Sequence, residues 1–223
     1  MAESPFATEL RILEQKLLLP GAKLQRQWLD NEVLALWLMD IDDQLQLDTQ
    51  AIGRFWQTLP FWAFAWAGGR ALATYIANNP EWVTGKRVLD FGCGSGIAGI
   101  AAALAGAEEV WVADLDDSAL MAAQVNAGLN GVEVQVVEGD QFPEVDILLA
   151  ADVLYDISGS AGLLELTSQI PEWLLAESNR ILPEGLELRC LDSMETSTLP
   201  RIGDFDEAVE IGIYCRSQEF RLN

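Results

Sequence analysis

The sequence contains no histidine, only three cysteines and three tyrosines, and 13 lysines and arginines against 35 aspartates and glutamates. Each shortage excludes something. Without histidine there is no imidazole to serve as a general base. Cys93, Cys190 and Cys215 are odd in number and lack CxxC spacing, so neither a disulfide framework nor a metal site is expected. The aromatic, charge-free run from Phe55 to Gly69 is 15 residues long and interrupted by Pro60. That is too short to span a bilayer, so no membrane contact is expected. No basic segment followed by an apolar one opens the chain, so no secretory signal is expected. These shortages together predict a soluble protein of the reducing cytoplasm.

What is present is ample for a folded core. Of 223 residues, 50% are hydrophobic, eight are tryptophan, and mean hydropathy is +0.15, which excludes a disordered chain. The length suits one domain with an extension: residues 1–54 read as the extension and residues 55–223 as the main domain.

The net charge of −22 is unevenly placed, because residues 88–179 hold sixteen acids and no lysine or arginine. Such a stretch cannot neutralise phosphates, so nucleic-acid binding is disfavoured. The same field suits a cationic ligand or a lysine-rich protein, the alternative being acidity that serves solubility alone.

Periodicity predicts a helix from Phe6 to Leu19, closed by Pro20-Gly21, and either a strand or a short helix from Glu32 to Met39. Six aromatics then fall between Phe55 and Trp66, and a helix runs from about Gly69 to Ala77. Beyond Gly85 strands and helices alternate. Strands are predicted at Arg87–Phe91, Glu109–Ala113, Val132–Val137 and Val145–Ala150, with helices at Ile97–Ala105 and Asp117–Leu129. A helical stretch from about Gly159 to Leu182 should lead to a fifth strand at Leu186–Leu191, with a last strand at Ala208–Cys215. This order implies an α/β fold, a doubly wound and mostly parallel, Rossmann-like sheet.

In such sheets ligands bind beyond the carboxyl ends of the strands. The first strand ends in Asp90-Phe91-Gly92-Cys93-Gly94-Ser95-Gly96, where three glycines permit a tight turn and close backbone approach. A dinucleotide fingerprint would require glycine where Ile97 stands. Asp90 would repel a pyrophosphate but attract the amino group of a methionine moiety. Asp114 closes the second strand 18 residues after Gly96, near the ~20 expected of an acid on ribose hydroxyls. Asp140 follows the third strand, where a carboxylate can accept an adenine amino proton, with Leu115 or Phe142 over the ring.

The spacing Asp90-x-Gly92-x-Gly94-x-Gly96, with Asp114 and Asp140 in order behind it, resembles the first motif of class I S-adenosylmethionine-dependent methyltransferases. S-adenosylmethionine is therefore the cofactor implied. The segment Trp62-Ala63-Phe64-Ala65-Trp66-Ala67-Gly68-Gly69 and the later Asp152-Val153-Leu154-Tyr155 resemble the branch that methylates lysine on the electron transfer flavoprotein β-subunit. The resemblance covers about residues 55–160. It implies that Trp62 and Trp66 help enclose the cofactor and that Asp152 and Tyr155 line the acceptor lysine. It also implies a lysine-bearing protein partner, the flavoprotein β-subunit being the first candidate. Ala67 replaces a family proline, and the family's Gly-Asp-Pro-Gly-Arg loop after the fifth strand would here be Leu191-Asp192-Ser193-Met194-Glu195, with the tail one strand short.

The expected function is protein N-lysine methylation by in-line methyl transfer. The alternatives are a small-molecule N-methyltransferase acting on an amine or nicotinamide-like ring, and a non-catalytic methyltransferase-fold binding module.

Overall fold

A strand buried on both faces must send successive side chains into two separate cores, and the central strands here do so. The computed structural model describes residues 6–29, 34–40, 53, 55, 57–139, 142–153, 169–178, 188–201 and 208–216. The chain begins with helix α1 (Ala7–Lys16), an antiparallel hairpin of β1 (Lys23–Leu29) and β2 (Leu34–Asp40), and a 3-10 turn at Phe61–Ala63. Helix α2 (Ala67–Asn78) and a second 3-10 turn (Pro80–Trp82) lead to β3 (Arg87–Phe91), α3 (Ile97–Leu104), β4 (Glu109–Ala113), α4 (Asp117–Leu129) and β5 (Gln135–Val136). Strands β6 (Ile147–Ala151), β7 (Glu172–Ser178), β8 (Leu188–Thr196) and β9 (Val209–Arg216) complete the described elements.

Seven of these strands form one sheet in the order β5-β4-β3-β6-β7-β9-β8. Strands β3 to β7 are parallel, and β9 lies antiparallel between β7 and β8. The chain builds outward from β3 through β4 to β5, then returns to place β6 on the other side of β3. Strand order therefore reverses between β3 and β6, the place where open α/β sheets bind ligands.

Val88, Val110, Ile147, Leu149, Leu174 and Ala176 face one core, shared with Leu72 and Ile76 of α2 and Ile97 and Ile100 of α3. Leu89, Leu148, Ala150, Trp173 and Leu175 alternate with them into a second core on the opposite face. Asp90 follows Val88 on the first face, beneath α3. At the entry to the sheet, the Arg87 side chain reaches Asp146 at 3.0 and 3.2 Å while the Arg87 N–H donates to the same carboxylate at 2.8 Å, which aligns β3 with β6.

Leu13 of helix α1 and Leu17 just past its end join one buried cluster with Ala119, Ala122 and Val125 of α4. The hairpin is bound to α4 as well. Asn126 and Asn130, one turn apart, accept the N–H groups of Trp37 and Ala35 at 2.8 and 2.9 Å, and Asn130 donates back to the Ala35 carbonyl at 2.7 Å. No helix among the described residues is long and apolar enough to cross a membrane.

Several sequence expectations change. Residues 172–178, expected inside a helix, form β7, a central strand whose Trp173, Leu174, Leu175 and Ala176 are all buried. An apolar run buried on both faces shows no alternation, so periodicity alone cannot separate strand from helix. The fifth parallel strand is thus β7. The expected strand at Leu186–Leu191 falls in β8, which pairs with β9 as a complete terminal hairpin. The third strand is shorter than Val132–Val137 and pairs only over Gln135–Val136. The Glu32–Met39 ambiguity resolves as strand over Leu34–Asp40, because Lys23–Leu29 pairs with it. That partner buries only Leu24 and Leu29, too sparse an apolar signal to mark it in sequence.

Candidate cofactor and acceptor site

After Phe91 the backbone turns through Gly92, Gly94 and Gly96 at φ of +69°, +51° and +80°, a region L-residues seldom adopt. A Cβ at Gly92 would lie 2.7 Å from Val153 Cγ1, and one at Gly96 would lie 2.8 Å from the Ala123 backbone. A Cβ at Gly94 would meet nothing within 4 Å. The outer glycines therefore permit close packing on the end of β6 and on α4, while the middle one keeps the mouth of the bend open. The bend is tied down by Gly92 and Cys93 N–H groups donating to the Ala113 carbonyl at 2.8 and 3.1 Å, and by the Gly94 N–H donating to Asp114 at 2.9 Å.

Asp90 lies beneath the bend, 3% exposed, accepting the Gly99 N–H of α3 at 2.8 Å. Burial pushes its pKa up to about 7; the Gly99 hydrogen bond opposes this and the charge of Asp114 adds to it. A cation brought to this carboxyl would restore its ionised form. Cys93, also buried, has its thiol pushed up by desolvation and then by Asp90 and Asp114, so it remains protonated and is no nucleophile.

Asp114 closes β4 and is half-buried, its second oxygen accepting the Asp116 N–H at 3.0 Å. Each oxygen retains a lone pair for a hydroxyl donor. Asp116 caps α4 by accepting the Ser118 N–H at 2.8 Å. Beside them Leu115 is fully exposed, and Phe142, 39% exposed, packs on Phe91 with ring centroids 6.2 Å apart. Both are large, exposed apolar side chains of the kind that can cover a flat ring. Asp140 lies outside the described residues.

Asp152 follows β6 at the same edge of the sheet, with φ +54°. Its carboxylate accepts the Gly68 N–H at 2.8 Å, at the start of α2, so the positive end of the helix complements its charge. Any side chain at position 68 would occupy that seat, since a Cβ there would lie 2.6 Å from the carboxylate. Tyr155 lies outside the described residues.

The two tryptophans separate. Trp62, 2% exposed, belongs to a buried cluster with Leu13, Leu17, Phe55, Ala119 and Ala122. Its expected contact with a cofactor gives way to packing of the N-terminal segment. Trp66 is half-buried, donates its indole N–H to the Phe61 carbonyl at 2.9 Å, and leans on Phe61 and Phe64. It stands two residues before the Gly68 N–H that holds Asp152. The pair shares no helical face. Trp62 lies in the 3-10 turn, and residues 64–66 are extended, with Ala65 bridging to Leu199.

Two buried polar residues join this group that sequence reasoning missed. Asn126, 1% exposed, donates to the Ser95 carbonyl of the bend at 2.9 Å while accepting from Trp37 of β2. A single asparagine inside a helix carries no local signal of such a bridge. Glu177, 2% exposed at the end of β7, accepts the Val153 N–H at 2.8 Å. Reading Trp173–Ala176 as a strand would have exposed Glu177 as a strand-end acid comparable to Asp114. The corrected topology also moves the comparison with the Gly-Asp-Pro-Gly-Arg loop away from Leu191–Glu195. The fifth strand ends instead at Glu177-Ser178.

The structure thus brings Asp90, the three glycines, Asp114, Leu115, Phe142, Trp66 and Asp152 to the edge where strand order reverses, and leaves Trp62 apart. A seven-stranded sheet with this order, and an acid-flanked glycine bend at its reversal, is the arrangement of the class I methyltransferase fold. The family described as ribosomal protein L11 methyltransferase (PrmA) matches residues 76–182, a little under half of the chain. The chain is similar to the electron transfer flavoprotein beta subunit lysine methyltransferase of Danio rerio, 40% identical over 109 residues, covering 47% of this chain and 42% of the relative. To that of Homo sapiens it is 31% identical over 157 residues, covering 65% and 57%. The chain spans about half the length of the curated relatives it matches. The tRNA (uracil-54, C5)-methyltransferase of Pyrococcus abyssi, solved with S-adenosyl-L-homocysteine, superposes with a TM-score of 0.51 at 15% identity over 86% of this chain and 44% of the other, a likeness of fold alone.

Proposed function

We propose that this chain methylates the ε-amino group of a lysine on a partner protein, with residues 55–223 carrying the reaction and residues 1–54 as an extension. The observation that carries the reading is Asp152, a half-buried carboxylate held in left-handed backbone at the rim of the glycine bend, within a stretch devoid of cations. The relatives' names point to the electron transfer flavoprotein β-subunit as the first substrate to try.

In this reading Asp114 would hold the ribose hydroxyls, Leu115, Phe142 and Asp140 would receive the adenine, and Asp90 with the bend would receive the methionine end, Trp66 helping to enclose the cofactor. Bound S-adenosylmethionine supplies an electrophilic methyl group on a sulfonium. The remaining work is alignment in a site from which water is excluded. Asp152 attracts the lysine ammonium and orients it, with Tyr155 as a wall of the pocket. A free lysine has a pKa of about 10.4, so a proton must leave before transfer. The chain has no histidine to take it. Loss through water from a desolvating pocket fits the residues present. The uncompensated acidity of residues 88–179 supports a basic protein partner over a nucleic acid, and the free thiols of Cys93, Cys190 and Cys215 support a reducing, cytoplasmic setting.

The test is incubation of the purified chain with methyl-labelled cofactor and, separately, electron transfer flavoprotein, ribosomal protein L11 and a cytoplasmic extract, followed by mass spectrometry. Label on a lysine ε-nitrogen supports the reading. Label only on small molecules, or none despite cofactor binding, overturns it.

A further inference from the structure

We propose that Glu177 is a positioning residue, which holds Asp152 and the glycine bend in register by fixing the Asp152–Val153 turn. This rests on the methyl-transfer reading of the site. Left-handed backbone at a non-glycine residue persists only where its surroundings over-determine it. Here the ties can be named. The Asp152 N–H donates to the Ala176 carbonyl at 3.1 Å, the Asp152 carboxylate accepts from Gly68, and the next N–H, that of Val153, donates to Glu177 Oε1 at 2.8 Å. Val153 then places its Cγ1 so near Gly92 that no side chain would fit there. One turn therefore carries the acceptor carboxylate on one residue and a wall of the cofactor bend on the next.

Burying a carboxylate is costly, and Glu177 is 2% exposed beside apolar Leu174, Leu175 and Ala176. What Glu177 supplies is an acceptor long enough to reach from β7 to the backbone beyond β6. Without it, Val153 N–H is left to find another partner, and the strain at Asp152 is free to relax away from the acceptor position.

The test compares the full-length wild type with Glu177→Leu and Glu177→Gln, which keeps a side-chain oxygen for the Val153 N–H. Transfer is followed with electron transfer flavoprotein, cofactor affinity by calorimetry with S-adenosylhomocysteine, and the Val153 amide by hydrogen exchange. Glu177→Leu is expected to lower kcat roughly 10²-fold, the scale of an ångström-sized misplacement, with KM for the protein changed less than about threefold. Its Val153 amide should exchange at least about tenfold faster, while Glu177→Gln restores both protection and most of kcat. If Glu177→Leu fails to melt cooperatively, Glu177→Ala takes its place. Unchanged kcat or Val153 exchange in the truncated variant overturns the proposal, as does a Glu177→Gln variant as impaired as Glu177→Leu. Should the wild type bind S-adenosylhomocysteine yet methylate no lysine, the substrate reading fails by itself. The exchange comparison still decides whether Glu177 holds the turn.

Discussion

Asp90 is a carboxyl group with almost no water around it, and its pKa, raised to about 7 chiefly by burial, has a consequence for stability. Between the ordinary aspartate range and 7 the folded protein holds a proton that the unfolded chain has released. Stability contributed by this group is therefore greatest at low pH and declines as pH rises toward 7. Asp90→Asn removes that dependence. Urea unfolding of wild type and variant at about pH 5 and pH 8 should show the wild type losing roughly 2–3 kcal/mol relative to the variant. A constant difference would mean that Asp90 is ionised throughout. Asp152 and Asp114 should divide their effects differently. Asp152→Ala is expected to reduce transfer by about 10²-fold or more while S-adenosylhomocysteine affinity stays within about threefold. Asp114→Ala should weaken that affinity by tenfold or more, as loss of charge-assisted hydrogen bonds does. Equal losses of transfer and binding in Asp152→Ala would contradict its assigned place on the acceptor side. The strand-end acids Asp90, Asp114 and Asp152 were legible in the sequence because each follows or closes a short apolar strand. Asn126 and Glu177 were not, because what makes them matter is a backbone group 31 or 24 residues away.

Elements are where sequence and structure part most. Arg87–Phe91, Glu109–Ala113 and Asp117–Leu129 stand at the residues their periodicity marks, since turn residues and a capping acid bound them. Glu172–Ser178 does not, because leucine and alanine favour a helix locally while burial between β6 and β9 decides for a strand. The N-terminal hairpin shows the converse. Its coupling to the bend passes through α4, whose Asn126 binds β2 with one end of its amide and the Ser95 carbonyl with the other. Asn126→Ala leaves both buried backbone groups unpaired. It should destabilise the fold by about 2–4 kcal/mol and weaken S-adenosylhomocysteine binding, read by thermal melting and calorimetry. A loss of stability with unchanged affinity would show the hairpin to be only a cover.

At the scale of the whole molecule, the net charge of −22 sets a long-range field with its uncompensated part in residues 88–179. Attraction of a lysine-bearing partner through that field would be screened by salt, with a Debye length near 10 Å at 0.1 M. The KM for a basic protein substrate should therefore rise severalfold between about 50 and 300 mM salt, with kcat little changed. Flat KM across that range would assign the acidity to solubility alone.

The glycine bend and the order of the strand-end acids follow from local chemistry: short apolar strands, glycines where backbone must turn left, and carboxylates at fixed distances along one chain. These are properties of neighbouring residues, so the sequence by itself determined them. Tertiary structure decided the rest, because the deciding contacts join residues far apart in the chain. It turned an apolar run into β7, withdrew Trp62 into the core, seated Asp152 on the start of α2, and brought Glu177 beneath Val153. Burial, which only the packed molecule has, determines what an apolar or acidic residue at those places can do.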